Sequence, residues 1–156
     1  GMRSGFVSGD AKLLKQFLLY RTYHGSAMSG MVQAASIAAW DDEAHVVANR
    51  EQYRQKFAAV TPLLEAVMDV RLPDAGFYLW AAVPGGDDVA FARDLLAQYN
   101  VTVLPGSYLA REGHGIGETQ GFNPGAGRIR MALVAETAEC LEAAQRIVAF
   151  IKNTHS

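Results

Sequence analysis

The stretch Gly127-Arg128-Ile129-Arg130-Met131-Ala132-Leu133-Val134 decides the fold, because apolar and basic residues alternate along it. Alternation with a period of two is typical of a strand that buries one face, here the face of Ile129 and Met131. An arginine on the opposite face can bind a carboxylate through two parallel hydrogen bonds, which fix orientation as well as charge. The alternative interpretation is a surface strand whose arginines are only solvated.

The segments on both sides of this stretch indicate an α+β fold. Strands and helices are mixed without regular alternation, so we predict a three- or four-stranded sheet backed by helices, with a long helical segment spanning it. Period-two patterns predict strands at 4–9, 70–72, 77–83, 101–104 and 128–134, with 77–83 and 128–134 in one sheet. Helical patterns predict helices at 10–20, at 31–67 with a joint at Trp40-Asp41-Asp42, at 89–98 and from 137 onward, with loops at 21–30 and 110–126.

Single residues predict where two of these helices begin or bend. Asp87 or Asp88 is the expected N-cap of the helix at 89–98. Pro62 cannot donate a backbone hydrogen bond inside a helix, so we expect a kink near Ala58 or a restart capped by Thr61.

Composition limits the classes of function. The 156 residues, 50% of them hydrophobic, suffice for the core of one domain. A net charge of -2 gives no electrostatic case for nucleic acid, and no apolar run is long enough to span a bilayer, so we expect neither partner. Cys140 is the single cysteine and the histidines are scattered, so we expect no disulfide, no metal site and a reducing, cytoplasmic setting.

Two common catalytic patterns do not fit the chain. Ser107 has no base at helical or hairpin spacing, which argues against a nucleophilic hydrolase. Gly113, Gly115 and Gly117 alternate, but no predicted strand leads into them and no predicted helix follows, as a dinucleotide-binding motif requires. The residues alone therefore predict an α+β domain with a candidate anion site at Arg128 and Arg130.

Five short motifs lie in a fixed order along the chain. They are Gly1-Met2-Arg3-Ser4-Gly5-Phe6, then Gln33-Ala34-Ala35 with Asp42 and His45, then Ala75-Gly76-Phe77-Tyr78-Leu79-Trp80, Pro105-Gly106-Ser107 and Arg130-Met131-Ala132-Leu133. In this order they resemble motifs of the class I/II aminotransferases, pyridoxal-phosphate enzymes of fold type I. The resemblance implies the C-terminal part of such an enzyme, with a remnant of the large cofactor domain at 1–24. It implies a small domain at 25–156 that includes the long interdomain helix.

The resemblance also implies roles for individual residues. Arg130 matches the arginine that holds the α-carboxylate of the substrate, and Arg3 matches an arginine that contacts the cofactor phosphate. Arg21, Tyr23 and His24 match a loop that reaches the active site of the neighbouring subunit. There they would recognise the distal carboxylate of the substrate. A mobile terminal arginine and a plain surface loop are the alternatives for these two regions.

One departure from the family limits the expected activity. The lysine that carries the cofactor as a Schiff base would lie shortly before Arg3, and none of the lysines in the sequence matches it. We therefore predict no catalytic residue here, no cofactor bound to this chain alone, and no activity without the missing part. The alternatives are a stand-alone carboxylate-binding or regulatory module and an inactive truncated gene product.

Three further segments narrow the resemblance within the family. They are 20–28, Arg111-Glu112 and Asn123-Pro124-Gly125, and they resemble the succinyldiaminopimelate transaminases of lysine biosynthesis. The expected substrates are an amino acid and a 2-oxo acid, here N-succinyldiaminopimelate and 2-oxoglutarate. Because Phe6, Leu14, Phe17 and Leu18 would be exposed without the large domain, we also expect a homodimer.

Overall fold

Helices and strands follow one another in mixed order in the computed structural model, which describes residues 3–25, 27–113 and 121–154. The chain divides into two units, Gly1–Ala48 and Asn49–Ser156. Among the described residues, no helix combines the length and the apolar character needed to cross a membrane. The elements are α1 (Ala11–His24), α2 (Gly30–Asp41), α3 (Glu43–Glu65), β1 (Tyr78–Ala82), α4 (Asp88–Tyr99), β2 (Leu104–Pro105), α5 (Gly106–Leu109), β3 (Arg128–Ala132) and α6 (Thr137–Thr154).

The second unit is built on an antiparallel sheet whose central strand is β3. The strand order is β1-β3-β2, so the described residues form a three-stranded sheet. Arg130 lies opposite Trp80 of β1 on one side and opposite Leu104 of β2 on the other. This register confirms that the strands predicted at 77–83 and 128–134 share one sheet, and that the fold is α+β.

One face of the sheet forms the core, as the alternation along β3 predicts. Ile129 is fully buried and Met131 nearly so, and their register partners Ala81 and Leu79 are also fully buried. Helical residues complete this core; they are Phe57, Val60 and Leu64 of α3, Phe91 and Leu95 of α4, and Ala144, Ile147, Phe150 and Ile151 of α6. The opposite face of the sheet, with both arginines, is thereby left open to a ligand or another element.

A buried lysine ties α3 to the end of β3. Lys56 is 7% exposed, and its Nζ donates a hydrogen bond to the Leu133 carbonyl at 3.2 Å. The ammonium group also lies 5.2 Å from the centre of the Tyr53 ring. The long helix is therefore joined to the strand by a charge-assisted bond as well as by apolar packing.

Replacing Lys56 with methionine is expected to lower the free energy of unfolding by about 1–3 kcal/mol, because the Leu133 carbonyl loses its donor. Chemical denaturation measures the change. Arg54→Met is the matched control, since Arg54 is exposed on the same helix and its pair with Glu51 is worth only about 0–1 kcal/mol. Equal losses in the two variants would contradict a specific role for Lys56.

The first unit contains two capped helices whose apolar residues remain exposed. The Asp10 carboxylate accepts from the backbone N–H groups of Lys12 and Leu13, and Ser29 caps α2 through Val32. Neither helix has a buried residue. The rings of Phe6 and Trp40 lie 5.9 Å apart, and Phe6 is 74% exposed.

Three predictions about strands and one about a loop are wrong. Segments 4–9 and 70–72 form no strand. No described segment pairs with 4–9, and next to 70–72 a single hydrogen bond, from the Ala82 N–H to the Asp69 carbonyl, reaches β1. The strand predicted at 101–104 pairs with β3 only from Leu104 onward. The loop predicted from residue 21 begins later, because no helix breaker precedes Gly25 and α1 continues to His24.

The restart predicted as one alternative at Pro62 is wrong, since α3 continues without interruption to Glu65, while the kink near Ala58 stays a prediction. A proline leaves the carbonyl four residues earlier without a helical donor, and that residue, Ala58, is exposed, so water can satisfy it. Thr61 caps nothing; it is 5% exposed, and its Oγ1 has no hydrogen-bond partner among the described residues. Tertiary packing of Val60 and Leu64 thus outweighs the local cost of the proline.

Candidate functional site

The open face of the sheet surrounds Arg130 with large side chains. Trp80 and Leu104 lie directly opposite Arg130 on the two neighbouring strands, so all three point to the same face. The guanidinium carbon lies 5.5 Å from the centre of the Tyr78 ring. An arginine over an aromatic ring gains about 0.5–1 kcal/mol at an exposed site, which favours one orientation of the side chain.

The Arg130 guanidinium has no anionic partner in the part of the chain that the structure describes. Its Nε is buried and has no hydrogen-bond partner among the described residues. Arg54, Arg93 and Arg146 each form an ion pair with a carboxylate, whereas Arg130 forms none with a described residue. The residue as a whole is half-buried. A half-buried, unpaired arginine is unusual, because burying charge without a partner is costly. A carboxylate bound to the terminal nitrogens would complete this arrangement.

A buried carboxylate joins the helical turn α5, which follows β2, to the turn that precedes β3. The N-cap of α4 is Asp87, whose carboxylate accepts from the Ala90 N–H. The neighbouring Asp88 therefore does not cap the helix. Asp88 is 5% exposed, and its two oxygens accept from the backbone N–H of Ser107 at 2.8 Å and of Gly127 at 3.3 Å. One side chain therefore joins the turn after β2 to the residue that precedes β3.

The same two turns are also joined by Asn123 and by direct contact of two glycines. The Asn123 amide donates to the Ser107 carbonyl at 3.1 Å and accepts from the Gly125 N–H at 2.9 Å. A Cβ on Gly125 would lie 2.1 Å from the Gly106 carbonyl oxygen, and a Cβ on Gly106 would lie 2.3 Å from that of Gly125. Glycine is required at both positions because the two backbones touch.

The sequence alone predicted none of this clamp, which consists of Asp88, Asn123, Gly106 and Gly125. The pair Asp87-Asp88 was the one available signal in the sequence: a helix needs a single N-cap residue, so the second aspartate was free for another role. The partners of the second carboxylate lie 19 and 39 residues away, beyond any local pattern.

Hydrogen bonds to Asp88 make the stability of the second unit depend on pH. Burial by itself raises the pKa of this carboxyl, but the bonds from Ser107 and Gly127 outweigh it, so the pKa lies below its usual value. The ionised form therefore contributes stability that is complete above the unfolded pKa of about 3.9 and is lost as pH falls through the lower folded pKa.

We expect the free energy of unfolding of the wild-type chain to fall as the pH is lowered from about 4, and Asp88→Asn to flatten this dependence. Denaturation curves between about pH 2 and pH 7 measure it. Asp94→Asn is the matched control, because Asp94 pairs with Arg93 on the surface of the same helix. An Asp88→Asn slope identical to that of the wild type would show that Asp88 is not the relevant group.

In the first unit, Arg3 and Arg21 line one cavity of about 530 Å³. Ser4 and Ser29 add hydroxyl groups, and none of the described residues that line the cavity is acidic. The Arg21 guanidinium lies against Gly25, where a Cβ would be 2.1 Å from its central carbon. The structure thus brings together two of the predicted site residues, in a cavity suited to an anion.

Tyr23 and His24 do not line this cavity. The Tyr23 side chain is 82% exposed, and the His24 ring stacks on Tyr20 with the ring centres 4.8 Å apart. Their predicted role in substrate recognition therefore has no geometric support within the unit and stays a prediction.

Comparison with known proteins identifies a family. The family model "Aminotransferase class I and II" matches residues 1–147. A probable aminotransferase of Mycobacterium tuberculosis is 37% identical over 149 residues, which cover 94% of this chain and 32% of that protein. The chain thus spans about a third of the length of this curated relative.

Solved structures give the same result. An aminotransferase from Neisseria meningitidis is 59% identical, with a TM-score of 0.79 over 96% of this chain and 37% of that one. A probable N-succinyldiaminopimelate aminotransferase from Thermus thermophilus is 27% identical, with a TM-score of 0.66 over 88% of this chain and 34% of that one. Further relatives bear the name LL-diaminopimelate aminotransferase, among them proteins of Aquifex aeolicus and Natranaerobius thermophilus.

Proposed function

Because this chain belongs to the class I and II aminotransferase family, we propose that it is the C-terminal part of an amino-group transferase in which Arg130 holds the α-carboxylate of the substrate. The observation that carries this proposal is that Arg130 is half-buried and that its guanidinium has no anionic partner among the described residues. The terminal nitrogens of Arg130 would donate two parallel hydrogen bonds, which orient the α-carbon as well as binding the charge. Trp80 and Leu104 would limit the access of water to that ion pair.

The family depends on pyridoxal phosphate, and the cavity at Arg3 fits the phosphate part of that cofactor. The Arg3 guanidinium, two serine hydroxyls and a lining with no acidic residue among those described suit a phosphate dianion. Arg3 would hold the phosphate, while the cofactor supplies the electron sink for the chemistry at the α-carbon. The cofactor lysine is predicted before Arg3, so amino-group transfer would require a longer polypeptide that contains it.

The proposed amino donor is N-succinyldiaminopimelate, with 2-oxoglutarate as the acceptor. Two observations support this choice: the resemblance of segments 20–28, 111–112 and 123–125, and the name of the Thermus thermophilus neighbour. Arg21 would bind the distal carboxylate, with Tyr23 and His24 nearby in sequence. A cytoplasmic homodimer is the proposed form, with residues 1–24 belonging to the large domain and 25–156 to the small domain.

An amino-transfer assay tests both the activity and the donor. The longer polypeptide, supplied with pyridoxal phosphate and 2-oxoglutarate, is offered either N-succinyl-LL-diaminopimelate or free LL-diaminopimelate, and glutamate is measured. We expect glutamate mainly from the succinylated donor, and none from the 156-residue chain alone. A preference for the free diamino acid would overturn the donor assignment. No transfer at all, with a carboxylate still bound at Arg130, would favour the stand-alone binding module.

A further inference from the structure

We propose that Asp88 is a positioning residue for Arg130: its carboxylate fixes the start of β3, and with it the direction of the guanidinium. The inference rests on the proposed function only in taking Arg130 as the carboxylate-binding residue. Asp88 itself touches neither substrate nor cofactor in this account.

The two hydrogen bonds of Asp88 lie at the ends of two paired strands. Ser107 follows β2 and Gly127 precedes β3, and these strands pair with each other at Leu104 and Arg130. A single carboxylate therefore sets the separation of the two chain segments at the end of the sheet where β3 begins. The bond to Gly127 lies three residues before Arg130 in the same chain segment.

The chain around Gly127 has little freedom to move if the bond to Asp88 is lost. Gly127 has a φ of +70°, and the Gly125 backbone touches the Gly106 backbone. The Gly127 carbonyl also accepts from the Val83 N–H at 2.9 Å, and the Arg128 N–H donates to the Gly125 carbonyl at 3.2 Å. If Asp88 releases the Gly127 N–H, the strand start can therefore move only by straining these bonds and the turn that Asn123 and Gly125 build. Arg130 would then shift relative to Tyr78, over whose ring the guanidinium lies.

Asparagine cannot take over the hydrogen bonds of Asp88. Both partners of Asp88 are N–H donors, so the site requires two acceptor oxygens. An asparagine presents one acceptor and one NH₂ group, and the NH₂ group would face a donor. Asp87→Asn is a matched control, because Asp87 accepts only from Ala90 and touches neither turn.

The test follows the Nε–Hε signal of Arg130 by NMR in the 156-residue chain, assigned by its loss in Arg130→Lys. In Asp88→Asn we expect this signal to move in the ligand-free protein, and the affinity for added sodium succinate to fall about fivefold, because a small misplacement weakens a two-point contact. In Asp87→Asn both should stay as in the wild type. Asp88→Glu, which keeps the charge but moves it by one methylene, should give an intermediate shift and decides the question if Asp88→Asn does not fold.

The two proposals fail in different ways in this experiment. If succinate leaves the Arg130 signal of the wild type unchanged, the carboxylate role of Arg130 in this chain is wrong, while the ligand-free shift in Asp88→Asn still tests positioning. If Asp88→Asn is less stable but its Arg130 signal and succinate affinity match the wild type, Asp88 only stabilises the fold and the inference is overturned.

Discussion

Replacing Arg130 with lysine is expected to lower kcat/KM for the amino donor about a hundredfold in the longer polypeptide that contains the cofactor lysine, which is about 2.7 kcal/mol of transition-state binding. Lysine keeps the charge but cannot form two parallel hydrogen bonds, so the α-carbon would no longer be oriented. The fold should persist, because the Arg130 side chain lies on the open face of the sheet rather than in the core.

Steady-state kinetics with the donor varied at saturating 2-oxoglutarate measures this effect. Arg128→Lys is the matched control on the same face of β3, two residues away, where we expect a much smaller loss because the resemblance to the family gives the substrate contact to Arg130 and not to Arg128. Equal losses in the two variants would indicate a general effect of the basic face. An Arg130→Lys enzyme as active as the wild type would refute the assignment.

Replacing Gly125 with alanine is expected to destabilise the second unit by about 3 kcal/mol or more, because the new Cβ would lie 2.1 Å from the Gly106 carbonyl oxygen. Neither backbone can retreat without breaking the bonds of Asn123 or Asp88. A loss of this size is a large share of the stability of a typical domain, about 5–15 kcal/mol.

Denaturation followed by Trp80 fluorescence, in a Trp40→Phe background so that the signal comes from the second unit, measures the loss. Gly113→Ala is the control, since a Cβ there meets no described atom within 4 Å, and we expect a change within about 0.5 kcal/mol. A Gly125→Ala variant as stable as the control would mean that the two turns can separate freely.

The sequence predicted those features that repeat locally. The alternation at Ile129 and Met131 correctly gave the buried face of β3, because a strand places successive side chains on opposite faces. The same rule placed Arg130 on the open face. By contrast, segment 4–9 had the composition of a strand but no described partner, and pairing is a tertiary property that composition does not encode.

The clamp shows the other limit of sequence analysis. Asp88 could be recognised as a candidate helix cap, but its actual partners are backbone groups of two distant turns, and backbone groups leave no residue-type signal. The contact between Gly106 and Gly125 is equally invisible, since glycine also occurs in ordinary turns. The arginine of the candidate site could thus be predicted from the sequence, whereas the groups that hold its strand could not.

A crystal structure of the longer polypeptide with bound 2-oxoglutarate tests the central claim most directly, because it shows which residue binds the carboxylate next to the oxo group. The account predicts two nearly parallel hydrogen bonds of about 2.7–2.9 Å from the Arg130 guanidinium to that carboxylate. Binding of the carboxylate by other residues, with the Arg130 guanidinium still lacking an anionic partner, would contradict it.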